Sequence, residues 1–132
     1  MNLIDKLAWI EIQDNRILLT KSYGQDKYYI PGGKRERAET DEQALLREIQ
    51  EELTVLVDKS TLQFMGIFEA QAHGQPEGVL VKMTCYTGGY QGKLKASAEI
   101  EQIKWFSYAE KDQVVGVDKL IFDHLKQHGL LN

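Results

Sequence analysis

The sequence holds one cysteine, two prolines and no apolar run near the ~20 residues that a membrane helix needs. The single Cys85 excludes an internal disulfide and suits a reducing compartment, so a cytoplasmic location with no membrane partner is expected. A long basic run is also missing, and 16 Lys and Arg stand against 20 Asp and Glu, a formal net charge of −4. Binding of nucleic acid as the main task is therefore not expected. No repeat, low-complexity tract or linker interrupts the chain, and Met1 to Asp5 lacks the charged stretch and apolar run of a signal peptide, so none is expected. An apolar content of 42% over 132 residues is enough for a packed core, and one domain over 1–132 is expected.

What is present gathers in one stretch, Gly32 to Thr54, which reads GGKRERAETDEQALLREIQEELT. Thr40 and Gln43 have the spacing of a capping box, so the pattern predicts a helix beginning after Thr40 and running to about Leu53. At about 100° per residue, Glu48, Glu51 and Glu52 fall within one arc of that helix, and Leu45, Leu46, Ile49 and Leu53 occupy the adjoining arc. Like charges at i, i+4 cost a helix roughly 0.2–0.5 kcal/mol per pair, and a bound cation offsets part of that. Three hard oxygen donors without Cys or His nearby select magnesium, manganese or calcium over zinc. Ala44 on the same face is expected to leave room for ions or phosphate oxygens. A solvated acidic face is the plainer reading of such a triple taken alone.

Read from Gly33, the order is Gly, five residues, Glu39, seven residues, then Arg47-Glu48-Ile49-Gln50-Glu51-Glu52-Leu53-Thr54-Val55. This resembles the box of the Nudix hydrolase family, MutT-like members included, at every position but its last glycine, which is Thr54 here. The resemblance implies an α/β (α+β) fold, a Nudix-type α/β/α sandwich around a mixed curved β-sheet. It implies Glu51 and Glu52 as ligands of Mg2+ or Mn2+, and Glu48 as a further ligand or the base. It also implies the Gly32 carbonyl as a ligand and Arg47 as the partner that directs a box carboxylate. Glu39 is implied as a supporting residue, with a purely structural Arg47–Glu39 ion pair as the alternative. Threonine is β-branched and resists positive φ, so the helix is expected to end without the left-handed residue that glycine would supply.

The rest of the chain reads as a hairpin over Leu7–Ile12 and Arg16–Thr20, then a short strand Tyr28–Ile30 before Pro31-Gly32-Gly33. Lys34, Arg35 and Arg37 are expected in the loop before the helix, either meeting substrate phosphates or serving as surface charge. Strands follow over 62–72, with Gly66 a candidate bulge, over Val79–Thr87 and over Ile103–Phe106. Ser107 is expected to cap a short helix, and a last helix carries Val117, Leu120, Ile121 and Leu125 on one face until Gly129. His73 reads as an exposed loop residue, and Trp105 as core rather than a base-stacking platform. By resemblance, an acid before the Ile103 strand is a further ligand or the base, Glu99 ahead of Glu101. Asp118 is a candidate nucleobase contact or a charge on the helix dipole.

The implied activity is divalent-metal-dependent hydrolysis of a diphosphate bond in a nucleoside diphosphate linked to another group. The compact length favours a MutT-like nucleoside triphosphate pyrophosphohydrolase over an ADP-sugar or dinucleoside polyphosphate hydrolase. The implied partner is a small nucleotide, and homodimers occur among relatives. A non-catalytic nucleotide-binding module is the alternative class, although such relatives lack box glutamates and this chain keeps all of them.

Overall fold

Side chains alternate along the strand Leu3–Trp9 (β1), and the alternation divides the protein into two cores. Leu7 and Trp9 join one buried cluster, and Ala8, followed by Ile10, joins the other. The strand Arg16–Ser22 (β3) repeats the division, with Leu18 on the first side and Ile17 and Leu19 on the second. A period of two places successive side chains on opposite faces, so both faces of these strands need a cover. The computed structural model describes residues 2–132. One cover is the helix Asp41–Leu53 (α1), through Ala44, Leu45, Ile49 and Leu53. The other is the helix Val117–Gln127 (α2), through Val117, Ile121, Phe122 and Leu125. Each such side chain removed from water contributes about 1.5–3 kcal/mol.

Between the helices lie two principal sheets. In the first, Gly32–Lys34 (β4) runs antiparallel to β1, β1 runs parallel to Leu80–Thr87 (β7), and Gln63–Gln71 (β6) closes the far edge antiparallel to β7. The second joins Ile12–Gln13 (β2), β3 and Ile100–Phe106 (β9) in antiparallel order. A short pair, Leu56–Val57 (β5) with Tyr90–Gln91 (β8), lies beyond the end of α1. The result is the expected mixed α+β sandwich with helices on opposite faces. Among the described residues no helix is long and apolar enough to cross a membrane.

Four local expectations are corrected. Tyr28–Ile30 forms no strand; Tyr29 makes a single bridge to Thr20, and the strand is the glycine turn itself, so Lys34 lies in β4 rather than in a loop. Ala44 leaves no space for ions, because it is fully buried in the core beneath α1. Leu120 is 45% exposed, and Phe122 takes its place in the apolar face of α2. Thr54 does adopt the left-handed conformation, φ 60° and ψ 22°. Its N–H donates to the Gln50 carbonyl (3.1 Å) and its Oγ1 donates to the Lys93 carbonyl (3.1 Å). Those two bonds stand against a local preference that β-branching otherwise disfavours.

Other expectations stand. The capping box is complete: Gln43 N–H donates to Thr40 Oγ1 (3.2 Å), and Thr40 N–H donates to Gln43 Oε1 (2.9 Å). Such a cap stabilises a helix start by about 1 kcal/mol. The register of β6 on β7 slips between Phe64 and Gly66, where the bulge was expected.

Candidate active site

The fourth turn of α1 ends in carbonyls that have no partner within the helix. The loop before β9 supplies two: Lys95 N–H donates to the Leu53 carbonyl (3.0 Å) and Ser97 N–H to the Glu52 carbonyl (2.9 Å). Anchored there, the loop turns through Ala98, φ 53°, and delivers Glu99 beside the helix. Carboxylate oxygens of Glu48, Glu52 and Glu99 consequently lie within 4.8 Å of one another. On the other side stands the glycine turn. Gly32 N–H donates to Glu52 Oε1 (3.1 Å). A Cβ at Gly32, φ 143°, would run into the Leu7 carbonyl, and one at Gly33 into the carboxylate of Glu48. Gly32 thus requires glycine, whereas at Gly33 the absent side chain is what lets the Glu48 carboxylate come close.

Glu52 is buried, and desolvation, reinforced by the charges of Glu48 and Glu99, pushes its carboxyl up to about 8 against the Gly32 hydrogen bond. Burial also raises Glu48, opposed by Arg47. Arg47 is forked across Glu39, with Nε to Oε2 at 2.7 Å and Nη2 to Oε1 at 2.9 Å, and its Nη1 donates to Glu48 Oε1 (2.8 Å). That fork holds Glu39 down at about 2. Arg47 therefore joins a carboxylate of the loop to one of the cluster, in a planar geometry that lysine could not copy. Glu51 lies outside the three-acid cluster; it is half-exposed, 3.7 Å from Arg47 Nη1.

Three acidic groups converging, one of them buried, are poorly compensated by the protein alone. The donor set is all oxygen, and that chemistry fits a hard divalent cation beside Glu48, Glu52 and Glu99, with Glu99 either a ligand or a base. Of the two acids weighed before the Ile103 strand, Glu101 lies within β9, which begins earlier at Ile100, and pairs with Lys21. Arg35 is committed to Asp5 (3.1 Å) and Asp41, which leaves less of its charge for a phosphate. Lys34 is exposed on β4, and its carbonyl accepts from Arg47 Nη2 (3.2 Å).

Asp118 is the second residue of α2 and 1% exposed. Its Oδ2 accepts from Ile30 N–H (3.1 Å), its Oδ1 is buried with no partner, and burial pushes its carboxyl up to about 7. It lines a cavity of about 210 Å³, walled by Ile4, Val81, Met83 and Val117. A second cavity of about 550 Å³ opens beside Gly32, Gly33 and Glu52, and Lys6, Tyr29, His73 and Met83 border both. His73 is exposed as expected, yet it faces these cavities. Lys6 was missed because the sequence reading began its strand at Leu7. A cation alternating with Ile4 and Ala8 on an otherwise apolar face was the available signal.

Comparison with known proteins agrees with the geometry. The family model for the NUDIX domain matches residues 7–124. The chain belongs to the NUDIX family, a class of hydrolases. It is 29% identical over 117 residues to the ADP-ribose pyrophosphatase of Methanocaldococcus jannaschii, covering 86% of this chain and 64% of that protein. The chain thus spans under two thirds of that relative's length. The NUDIX hydrolase of Nitrosomonas europaea superimposes with a TM-score of 0.76 at 19% identity, over 98% of this chain and 92% of the other. The ORF135 protein of E. coli does so with a TM-score of 0.74 at 24% identity, over 96% and 92%. These two likenesses speak to the fold.

Proposed function

We propose that the protein hydrolyses, with a divalent metal ion, the diphosphate bond of a nucleoside diphosphate linked to a further group, nucleoside triphosphates foremost. The observation that carries this reading is the convergence of Glu48, Glu52 and Glu99 against a glycine turn that no side chain obstructs. A magnesium or manganese ion bound there would neutralise diphosphate charge and acidify water. Glu48 and Glu52 would hold it, with Glu51 available at the solvent edge and the Gly32 carbonyl as a further donor. Arg47, itself fixed by Glu39, keeps the Glu48 carboxylate aimed at the cleft. Glu99, exposed at the rim of the cluster, is our candidate for accepting the proton of the attacking water. Attack on phosphorus in line with the bridging oxygen breaks one P–O bond and forms another, so no covalent enzyme intermediate is needed.

The cavity over Asp118 would take the nucleobase, with the unpartnered Oδ1 receiving a hydrogen bond from an amino group of the base. Lys34 borders that same cavity and not the carboxylate cleft, so it would meet the nucleoside end of the substrate. A second reading, hydrolysis of ADP-ribose or a similar ADP-sugar, is favoured by the 29% identical relative. The test is a substrate panel of nucleoside triphosphates, ADP-ribose and dinucleoside polyphosphates with magnesium and with manganese, run on the protein and on Glu52→Gln. Hydrolysis of one class, lost in the variant, supports the reading and selects between its forms. Hydrolysis unchanged in the variant, or absent across the panel, sinks it.

A further inference from the structure

Lys6 stands where the two cavities meet. It borders the cleft beside Glu52 and also the cavity over Asp118, whereas Lys34 borders only the latter. The two lysines are opposed in register across the antiparallel pair β1–β4. Directly opposed residues of such a pair project to the same side of the sheet. Both therefore lie on the face that carries Ile4 and Ala8, toward α2. Among the described residues neither has a carboxylate within ion-pair distance. Lys6 is nevertheless half-buried, on a strand whose next three residues are fully buried. A half-buried ammonium with no acidic partner gains from an anion brought to it, and far more than an exposed one would. Lys6 does feel the charge of Asp118, but that carboxylate bonds Ile30 N–H rather than the lysine.

The geometry points to Lys6 as a specificity-determining residue that binds the phosphate nearest the nucleoside, at the bend where a substrate passes from the Asp118 cavity to the carboxylate cleft. This rests on the proposed function, since it needs a base in one cavity and a diphosphate at the other. It adds a recognition element outside the glycine–helix stretch. It also gives a role to the one lysine among the four residues, Lys6, Tyr29, His73 and Met83, that border both cavities. A ligand that ends at the sugar should not sense this lysine, and one that carries a single 5′-phosphate should.

The test is equilibrium binding in EDTA, so that neither turnover nor a metal contributes. The probes are the four ribonucleosides and their 5′-monophosphates, offered to the wild-type protein, Lys6→Met and Lys6→Arg. For whichever pair binds, Lys6→Met should weaken the monophosphate roughly tenfold and leave the nucleoside within about twofold, and Lys6→Arg should restore most of the loss. Added salt should erode the wild-type preference for the phosphate. With a hydrolysed substrate and metal, Lys6→Met should raise KM roughly tenfold with little change in kcat. Monophosphate binding unaltered in Lys6→Met overturns the inference while leaving the proposed function intact. Equal weakening of nucleoside and monophosphate also overturns it, because the lysine would then act on the base cavity through Asp118. If the wild-type protein binds no probe at millimolar concentration and hydrolyses no diphosphate, both readings fall together.

Discussion

The carboxylate of Glu48 fills the space that a side chain at Gly33 would need. The two residues are 15 positions apart, on β4 and α1, and a side chain added at Gly33 forces the Glu48 carboxylate to move. Gly33 lies outside the strained left-handed region, so alanine is conformationally acceptable there and the clash is with Glu48 alone. Gly33→Ala should therefore fold, with a melting temperature within a few degrees of wild type, and lose about tenfold or more in kcat as Glu48 swings from the cluster. Thermal unfolding and steady-state hydrolysis check this. Full activity in the variant would free Glu48 from any role in the cleft.

Arg47 gives the second prediction. It spans Glu39 and Glu48 with three hydrogen bonds of 2.7–2.9 Å, and the single nitrogen of a lysine could not reproduce the two-bond fork on Glu39 together with the bond to Glu48. Arg47→Lys should keep the helix, because charge and helix propensity are preserved. It should lower kcat or metal affinity by about 10–100-fold, the usual cost of losing a group that orients a ligand. Titration of magnesium against activity separates the two effects. Glu39→Gln should show a weaker version of the same defect.

The buried carboxyl of Glu52 sets a pH dependence whose sign can be worked out. Its ordinary value is 4.5, and in the metal-free protein it stands at about 8. Between those values the folded state holds a proton that the unfolded state has released, so stability falls as pH rises. The contribution is fully present below pH 4.5 and lost by about pH 8, a change of a few kcal/mol at most. Glu52→Gln should remove this slope and make the metal-free protein more stable than wild type near pH 8, as read by urea unfolding in EDTA. Magnesium should bind the wild type with release of a proton below pH 8 and more tightly as pH rises. A wild-type slope that persists unchanged in Glu52→Gln would assign the titration elsewhere.

Much of the fold and part of the site were legible before any coordinates. The capping box at Thr40 and Gln43 and the leucine face of α1 follow from spacing, whereas the hairpin expected over Leu7–Ile12 and Arg16–Thr20 is kept only by Ile12–Gln13, because β1 pairs with β4 and β7 instead. The acids Glu48 and Glu52 came from the same helical period. Others were not readable from local pattern. Glu99 came only through the family resemblance, since it reaches the cluster because the loop before it hydrogen-bonds the carbonyl end of α1. Glu51 shares the arc of its neighbours on a helical wheel, yet its carboxylate stays solvent-exposed, 3.7 Å from Arg47 Nη1 and outside the three-acid cluster. Lys6 reaches the two cavities through a strand register fixed by two other strands, β4 and β7. Ala44 shows the converse failure: its place on the acidic arc was right, but the wheel does not say how far the sheet reaches.

Thr54 marks where a local preference was overridden, and the last prediction turns on it. A β-branched residue at φ 60° costs roughly 1–2 kcal/mol relative to an unstrained one. Its hydroxyl recovers about 1 kcal/mol through the bond to the Lys93 carbonyl. That bond also ties the helix end to the segment 93–97, which leads to Glu99. Glycine at this position relieves the strain and breaks the tie. Thr54→Gly should therefore leave global stability within about 1 kcal/mol of wild type, while amide exchange in 93–99 becomes faster. Hydrolysis should fall modestly, by about two- to fivefold, if Glu99 accepts the water proton, because its loop then samples more positions. Unchanged exchange together with a fall in activity would disconnect Thr54 from Glu99 and direct attention to the glutamates of α1 instead.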